Sequence, residues 1–91
     1  MTKAEAHIER VKNCHCVICL HRLGVKVSPC DAHHVGTGED RDDFATAALC
    51  KEHHQGATGV HGLHRRAFER TWKATDILLL AWTNRELART A

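Results

Sequence analysis

Apolar residues recur at every third or fourth position near the start of the chain, with charged residues between them. Ala4, Ile8 and Val11 carry this pattern, which places apolar side chains on one face of a helix. The sequence therefore predicts an N-terminal helix from about Thr2 to Lys12. Asn13 can end this helix.

The next part of the chain carries short extended patterns. A compact turn is expected over Cys14–Cys19, and Val25–Val27 alternates apolar and polar residues as a strand does. Ser28 and Pro29 favour a turn, after which Cys30–Val35 returns as a second strand. Residues 36–43 form a polar loop with two glycines.

The second half of the chain reads mainly as helix. The apolar segment Phe44–Leu49 leads into a short helix near Lys51–Gln55, and the glycines that follow predict a loop around His61. Helical spacing resumes from His64 to about Trp72, with the expected buried residues Ala67, Phe68 and Trp72. A final helix, about Thr75–Ala88, is expected to bury Ile77, Leu78, Ala81, Trp82 and Leu87.

Length and cysteine content limit how such a chain can be stabilised. We expect the 91 residues to form one domain, 1–91, and a domain this small buries only about 60–65% of its unfolded surface, so it usually needs a disulfide or a metal. Five cysteines and no signal-peptide pattern favour a metal site in a reduced, cytoplasmic protein. The longest apolar run, Ile77–Trp82, is too short to span a membrane.

Charge and histidine content narrow the chemistry. A formal net charge of +2 permits nucleic-acid binding without requiring it. Nine histidines among 91 residues are an excess, and histidine is both the commonest metal ligand and a ready general base. His7, His15 and His21 match no ligand spacing and are interpreted as surface residues.

Two short knuckles have the spacing of a structural zinc site. Cys16 and Cys19 form the first knuckle, and Cys50 and His53 form the second, about thirty residues later. Three thiolates and one imidazole favour zinc and complete a closed tetrahedral site. Cys14 could replace Cys16 as a ligand, although the spacing favours Cys16. Cys30 is interpreted as a small buried residue.

The histidine pairs resemble a known nuclease superfamily. The motifs that carry the resemblance are Ala32-His33-His34, Asp43, Leu49-Cys50, Glu52-His53-His54, a downstream histidine, and Phe68-Glu69. This pattern, from about Cys16 to Glu69, resembles the HNH, or ββα-metal, endonucleases, and most closely the phage recombination enhancement function (Ref) type. The resemblance implies an α+β fold in which a zinc-stapled ββα-metal core is joined by an N-terminal helix and two C-terminal helices.

The resemblance also implies catalytic roles. His34 would be the general base that activates water, and His33, His54 and His61 would hold one catalytic Mg²⁺ or Mn²⁺ ion, with His64 as the alternative last ligand. The asparagine that orients the base in the superfamily is missing here. Asp43 aligns with an aspartate of the Ref type and is the candidate for that role, with a solvated loop acid or a helix cap as the alternative interpretation.

Two more features have open interpretations. Asp31 lies two residues before His33 and shares its face of a strand, so it could support the metal site, add a ligand, or be a plain surface acid. Four cations are candidate phosphate contacts, although a solvated helix face explains them equally well. They are Arg65, Arg66, Arg70 and Lys73.

The leading hypothesis is a metal-dependent endonuclease that cleaves DNA in the cytoplasm of a bacterial host, in phage or prophage recombination or DNA processing. The Ref resemblance further implies a recombinase filament as a partner. A non-catalytic zinc-finger-like DNA-binding module is the alternative, but such a module does not need a second set of histidines. A third hypothesis is a protein-interaction adaptor that docks through Trp72 and Trp82.

Overall fold

A two-stranded antiparallel sheet with helices packed around it forms the centre of the molecule. The computed structural model describes residues 1–89, and the last two positions of the predicted domain, 90 and 91, lie outside the described residues. The fold is α+β, as predicted. The α-helices and strands are α1 (Lys3–Lys12), β1 (Asp31–His34), β2 (Thr46–Leu49), α2 (Lys51–His54), α3 (Val60–Leu63), α4 (Arg65–Trp72) and α5 (Asp76–Arg89). A short π-helix, Cys19–Leu23, and a 3₁₀-helix, Gly38–Asp40, lie between them.

The N-terminal helix is confirmed, and its start has a defined chemical cause. The Thr2 hydroxyl accepts a hydrogen bond from the Glu5 backbone N–H at 3.0 Å, and the Glu5 carboxylate accepts one from the Thr2 N–H at 3.0 Å. This reciprocal pair satisfies two donors that the helix end would otherwise leave free. The helix then buries Val11 against the core.

The predicted hairpin was wrong in its first strand. Val25–Val27 is not a strand, because its backbone closes the first knuckle instead: Val25 N–H donates to Cys19 O at 3.0 Å, and Val27 O accepts from Cys16 N–H at 2.8 Å. The strand predicted over Cys30–Val35 exists as β1, and its partner is β2. All four β2 residues are buried, so this strand shows no alternation that a sequence pattern could reveal.

Two other predictions in the second half of the chain need correction. His61 lies in the short helix α3, where a loop was expected. In α5, Ile77 is 79% exposed, whereas a buried position was expected. The α5 face that is buried carries Leu79, Trp82, Thr83, Glu86 and Leu87. None of the helices in the described part of the chain has the length and apolar character that a membrane crossing requires.

Helix α5 covers one edge of the sheet through a hydrogen bond as well as through apolar packing. The Thr83 hydroxyl is buried; it accepts from the Ala48 N–H of β2 at 3.1 Å and donates to Leu79 O at 2.9 Å. A buried N–H without a partner would be costly. Thr83 therefore joins α5 to the sheet that carries the histidine pair.

We expect Thr83→Val to lower the free energy of unfolding by about 1–3 kcal/mol, since valine keeps the shape but leaves the Ala48 N–H without an acceptor. Urea unfolding in the presence of zinc measures the change. The matched control is Thr71→Val on exposed α4 surface, which should change the free energy of unfolding by less than about 0.5 kcal/mol. Equal stability of the two variants would contradict this role.

Candidate functional site

The two knuckles meet in a buried cluster of three thiols and one imidazole. Cys16, Cys19, Cys50 and His53 each offer one ligand atom, and these atoms all lie within 4.8 Å of one another. The first knuckle follows α1, while Cys50 immediately precedes α2 and His53 lies within it. This Cys3His cluster could hold a structural metal ion such as zinc.

The spacing of the donor atoms fits one tetrahedral ion. His53 Nδ1 lies 3.3 Å from Cys50 Sγ, 3.5 Å from Cys19 Sγ and 3.6 Å from Cys16 Sγ, and the Cys19 and Cys50 sulfurs are 3.8 Å apart. Zinc bond lengths in a tetrahedron require about 3.6 Å between sulfur and nitrogen and about 3.8 Å between sulfurs. The cluster therefore has the dimensions of a site for a structural metal ion such as zinc.

Burial makes these thiols poor candidates for any other role. Desolvation raises the pKa of Cys16 and of Cys19 above the ordinary thiol value, with the neighbouring cysteines adding to the effect at Cys19. A buried thiolate without a cation is costly. A bound Zn²⁺ would supply the missing positive charge and hold the thiolates deprotonated.

The other two cysteines lie outside the cluster. Cys14 Sγ donates to Arg10 O at 3.4 Å, within the end of α1. Burial raises the pKa of Cys30 to about 12, and the Cys30 thiol lies against Val27 O at 3.6 Å. The structure thus brings Cys16, and not Cys14, to the other three ligands, and Cys30 is the small buried residue that was expected.

A second cluster consists of three imidazoles from three different elements. His33 from β1, His54 from α2 and His61 from α3 offer ligand atoms within 4.8 Å of one another. The ring centroids are 4.9 to 5.7 Å apart. His33 is buried, whereas His61 is exposed. The three-histidine cluster is therefore open to solvent on one side, unlike the Cys3His cluster.

The electrostatics of this second cluster are compatible with a bound cation. Burial and the nearby imidazoles lower the pKa of His33 to about 4, so its ring is neutral at neutral pH and keeps a lone pair. His54 Nδ1–H donates to the Asp31 carboxylate at 2.9 Å, which leaves Nε2 as the free nitrogen. A carboxylate behind a ligating imidazole fixes its orientation and raises its basicity. Of the three interpretations of Asp31, the contact favours a supporting partner.

His34 lies beside the cluster but is held separately. Its Nε2 hydrogen-bonds to Asp43 Oδ1 at 2.8 Å, so the partner predicted for this residue is in place. Neighbouring residues of a strand point to opposite faces, which separates His34 from its neighbour His33. With Nε2–H donated to Asp43, Nδ1 is left to accept a proton.

The three-histidine cluster and His34 line one cleft with a volume of about 600 Å³. His64, the alternative ligand, also lines this cleft but lies outside the three-histidine cluster. Arg65 lines it too, and is paired with Glu69 at 3.4 Å and with Asp76 at 3.0 Å. Sequence reasoning missed Arg41, another cation of the cleft wall, because an arginine in an acidic loop carries no recognisable spacing.

The remaining predicted phosphate contacts lie elsewhere on α4 and at the residue that follows it. Arg66, Arg70 and Lys73 line a separate shallow depression of about 370 Å³. All three are exposed. The four predicted cations thus divide into one at the cleft and three on an adjoining surface, which extends the positive charge away from the three-histidine cluster.

A network around Glu52 positions the helix that carries His61. The Glu52 carboxylate accepts from the Thr58 hydroxyl at 2.6 Å and from the Thr58 N–H at 3.0 Å, and Trp72 Nε1–H donates to Thr58 O at 2.8 Å. A Cβ at Gly59 would lie 2.5 Å from Glu52 O, so only glycine permits this approach. The network fixes α3 against α2.

No protein-family model, curated protein or solved structure matches this chain. The interpretation of the site therefore depends on its own geometry.

We expect Cys16→Ala to lower zinc affinity more than about 100-fold, since loss of a direct ligand exceeds the 10–100-fold effect of an outer partner. The variant should also lose folded structure. Zinc content and far-ultraviolet circular dichroism measure both effects. Cys14→Ala is the matched control and should retain one zinc per chain. Loss of zinc from both Cys16→Ala and Cys14→Ala would contradict the assignment of Cys16, and not Cys14, as the zinc ligand.

A second prediction concerns the Glu52 network. Glu52→Ala should weaken Mn²⁺ binding by about 10–100-fold, because α3 loses the contacts that hold His61 in place. Manganese titration followed by electron paramagnetic resonance measures this, with zinc content expected to stay constant. Glu39→Ala changes an exposed loop acid and serves as the control. Unchanged Mn²⁺ affinity in Glu52→Ala would rule out the positioning role.

Proposed function

We propose that this chain is a metal-dependent endonuclease of the HNH, or ββα-metal, type that hydrolyses phosphodiester bonds in DNA. The observation that carries the proposal is that one cleft is lined both by an open three-histidine cluster and by His34, which is separately hydrogen-bonded to Asp43. A structural zinc module needs neither group. The order β1, β2, α2 around these residues supports the same family.

His34 supplies the base in this mechanism. Its free Nδ1 takes a proton from the attacking water, while Asp43 holds the ring in one tautomer and stabilises the imidazolium that forms. Proton transfer by a positioned histidine contributes typically about 10²–10⁴-fold to a rate. The pair lies at the end of β1, where the adjacent His33 enters the metal cluster.

The three imidazoles fit a transition-metal ion better than Mg²⁺. Imidazole nitrogen suits borderline cations, whereas Mg²⁺ prefers oxygen ligands in octahedral geometry. Of the two ions that the sequence suggested, Mn²⁺ is therefore the better fit. A divalent ion held there would neutralise charge on the scissile phosphate. The neutral state of His33 and the carboxylate behind His54 are what such an ion needs.

Cations in and beside the cleft favour a polyanionic substrate. Arg41 and Arg65 line the cleft, and the cations of the adjoining depression could contact phosphates further along a strand without reading bases. We propose DNA as the substrate, with strong salt dependence and weak sequence preference. A recombinase filament remains part of the proposal as a targeting partner, in keeping with the Ref resemblance.

The arrangement disfavours an adaptor that docks through its tryptophans. Trp82 is 6% exposed and stacks on His21 with ring centroids 4.3 Å apart. Trp72 is half-buried, packs on His53 and donates its indole N–H to Thr58 O. Both rings serve the fold itself, which leaves the cleft as the functional surface.

We expect His34→Ala to lower the rate of metal-dependent DNA cleavage by about 10²–10⁴-fold, since it removes the general base. Nicking of supercoiled plasmid and of single-stranded circular DNA with Mn²⁺ measures this, and Mn²⁺ should support a faster rate than Mg²⁺. His21→Gln removes a histidine outside the cleft and is the control. DNA binding by the wild-type protein without cleavage, with or without a recombinase filament, would favour the zinc-finger-like module instead.

A further inference from the structure

A fifth imidazole faces the cleft and belongs neither to the three-histidine cluster nor to the His34–Asp43 pair. His64 lines the cleft, but the ligand cluster comprises His33, His54 and His61, and the Asp43 carboxylate pairs with His34. The His64 side chain is exposed and makes no capping hydrogen bond to α4. Its imidazole is thus available to a molecule bound in the cleft.

The backbone of His64 adopts a conformation that suits glycine. Its φ is +67° and its ψ is 161°, a region essentially restricted to glycine. The other non-glycine residue with positive φ in residues 1–89 is Lys73, which has the left-handed conformation common at helix ends. His64 is the single residue between α3 and α4, and glycine would make this junction with less strain.

A strained histidine that does not cap its helix invites a functional explanation, because strain of this kind clusters at active sites. We propose that His64 is the general acid that protonates the leaving oxygen of the phosphodiester. This inference rests on the proposed nuclease function. His64 was considered above only as a substitute metal ligand, and its position outside the three-histidine cluster leaves it free for proton transfer.

The arrangement of elements separates the acid from the base. Helix α2, which carries His54, contacts both β1 and α3. His34 lies at the end of β1, and His64 follows the end of α3. The two imidazoles therefore reach the cleft from different elements, both of which contact the helix that carries His54. This placement allows one imidazole to act on the entering oxygen and the other on the leaving oxygen.

The proposed step balances in atoms and charge. The water oxygen forms a bond to phosphorus as its proton passes to Nδ1 of His34. The bond from phosphorus to the leaving oxygen breaks, and the His64 imidazolium gives its proton to that oxygen. His34 ends protonated and His64 neutral, and exchange with solvent restores both.

The test compares two phosphodiesters in wild type and His64→Gly. DNA has an alkoxide leaving group that needs a proton, so its cleavage should slow by about 10²–10⁴-fold. Bis(4-nitrophenyl) phosphate releases a stabilised phenolate that needs none, so its hydrolysis should slow by less than about threefold if proton transfer is the only loss. His64→Asn, which keeps a polar side chain at this position but cannot supply an imidazolium proton, should also lose DNA cleavage selectively.

Two readouts besides activity separate this role from a structural one. The melting temperature of His64→Gly should equal or exceed that of wild type, because glycine relieves the backbone strain. Its Mn²⁺ affinity should be unchanged, because His64 is not a ligand. A lower melting temperature, or weaker Mn²⁺ binding, would overturn the assignment by showing that the side chain supports the fold or the metal.

The kinetic outcomes also distinguish the inference from the proposed function. Suppose that wild type cleaves both esters. If His64→Gly then cleaves DNA at the wild-type rate, or loses both reactions equally, the assignment of His64 as general acid is wrong and the nuclease proposal stands. If wild type hydrolyses neither ester with Mn²⁺, the nuclease proposal fails and takes the inference with it. Selective loss of DNA cleavage in His64→Gly would support both the nuclease proposal and the assignment of His64 as general acid.

Discussion

The Cys3His cluster is the constraint on which the rest of the site depends. Helix α2 has only four residues, far fewer than the roughly 12–15 that an isolated helix needs for even marginal stability. His53 fixes this helix by inserting into the cluster beside the cysteines. The next residue, His54, is rotated about 100° around the axis and is thereby directed toward β1 and α3. The closed cluster thus sets the geometry of the open one.

At two places in this fold, adjacent residues belong to different side-chain clusters. The first pair of residues lies on a strand and the second on a helix, so their side chains diverge for different geometric reasons. On β1 the alternation of a strand sends His33 to the metal cluster and leaves His34 for Asp43. On α2 the helical rotation divides His53 from His54 in the same way. A domain of 91 residues can therefore contain two candidate metal clusters and a separate histidine–aspartate pair without long insertions, because neighbouring side chains diverge.

The ligands could be predicted from sequence more fully than the secondary structure. Knuckle ligands lie three residues apart, so local spacing alone identifies them. The strand partner of β1 could not be predicted, because β2 is buried on all sides and its pattern fits helix or strand equally. Ile77 was wrongly predicted to be buried because three leucines follow it. In such a continuous apolar run, the sequence does not show which residues of the helix face the core. Arg41 and the Glu52 network depend on tertiary contacts that no spacing encodes.

A zinc ion in the Cys3His cluster would also explain how a small domain can tolerate strain at its cleft. A glycine-type conformation at a histidine opposes folding by about 1–3 kcal/mol, which is a large share of the few kcal/mol that a core of this size supplies. Structural zinc sites in small domains contribute apparent binding energies of about 10–16 kcal/mol. A chain with the Cys3His cluster filled can therefore hold His64 in an unfavourable conformation. Stability then resides in the closed cluster, and the open cleft is free to keep the groups that chemistry requires.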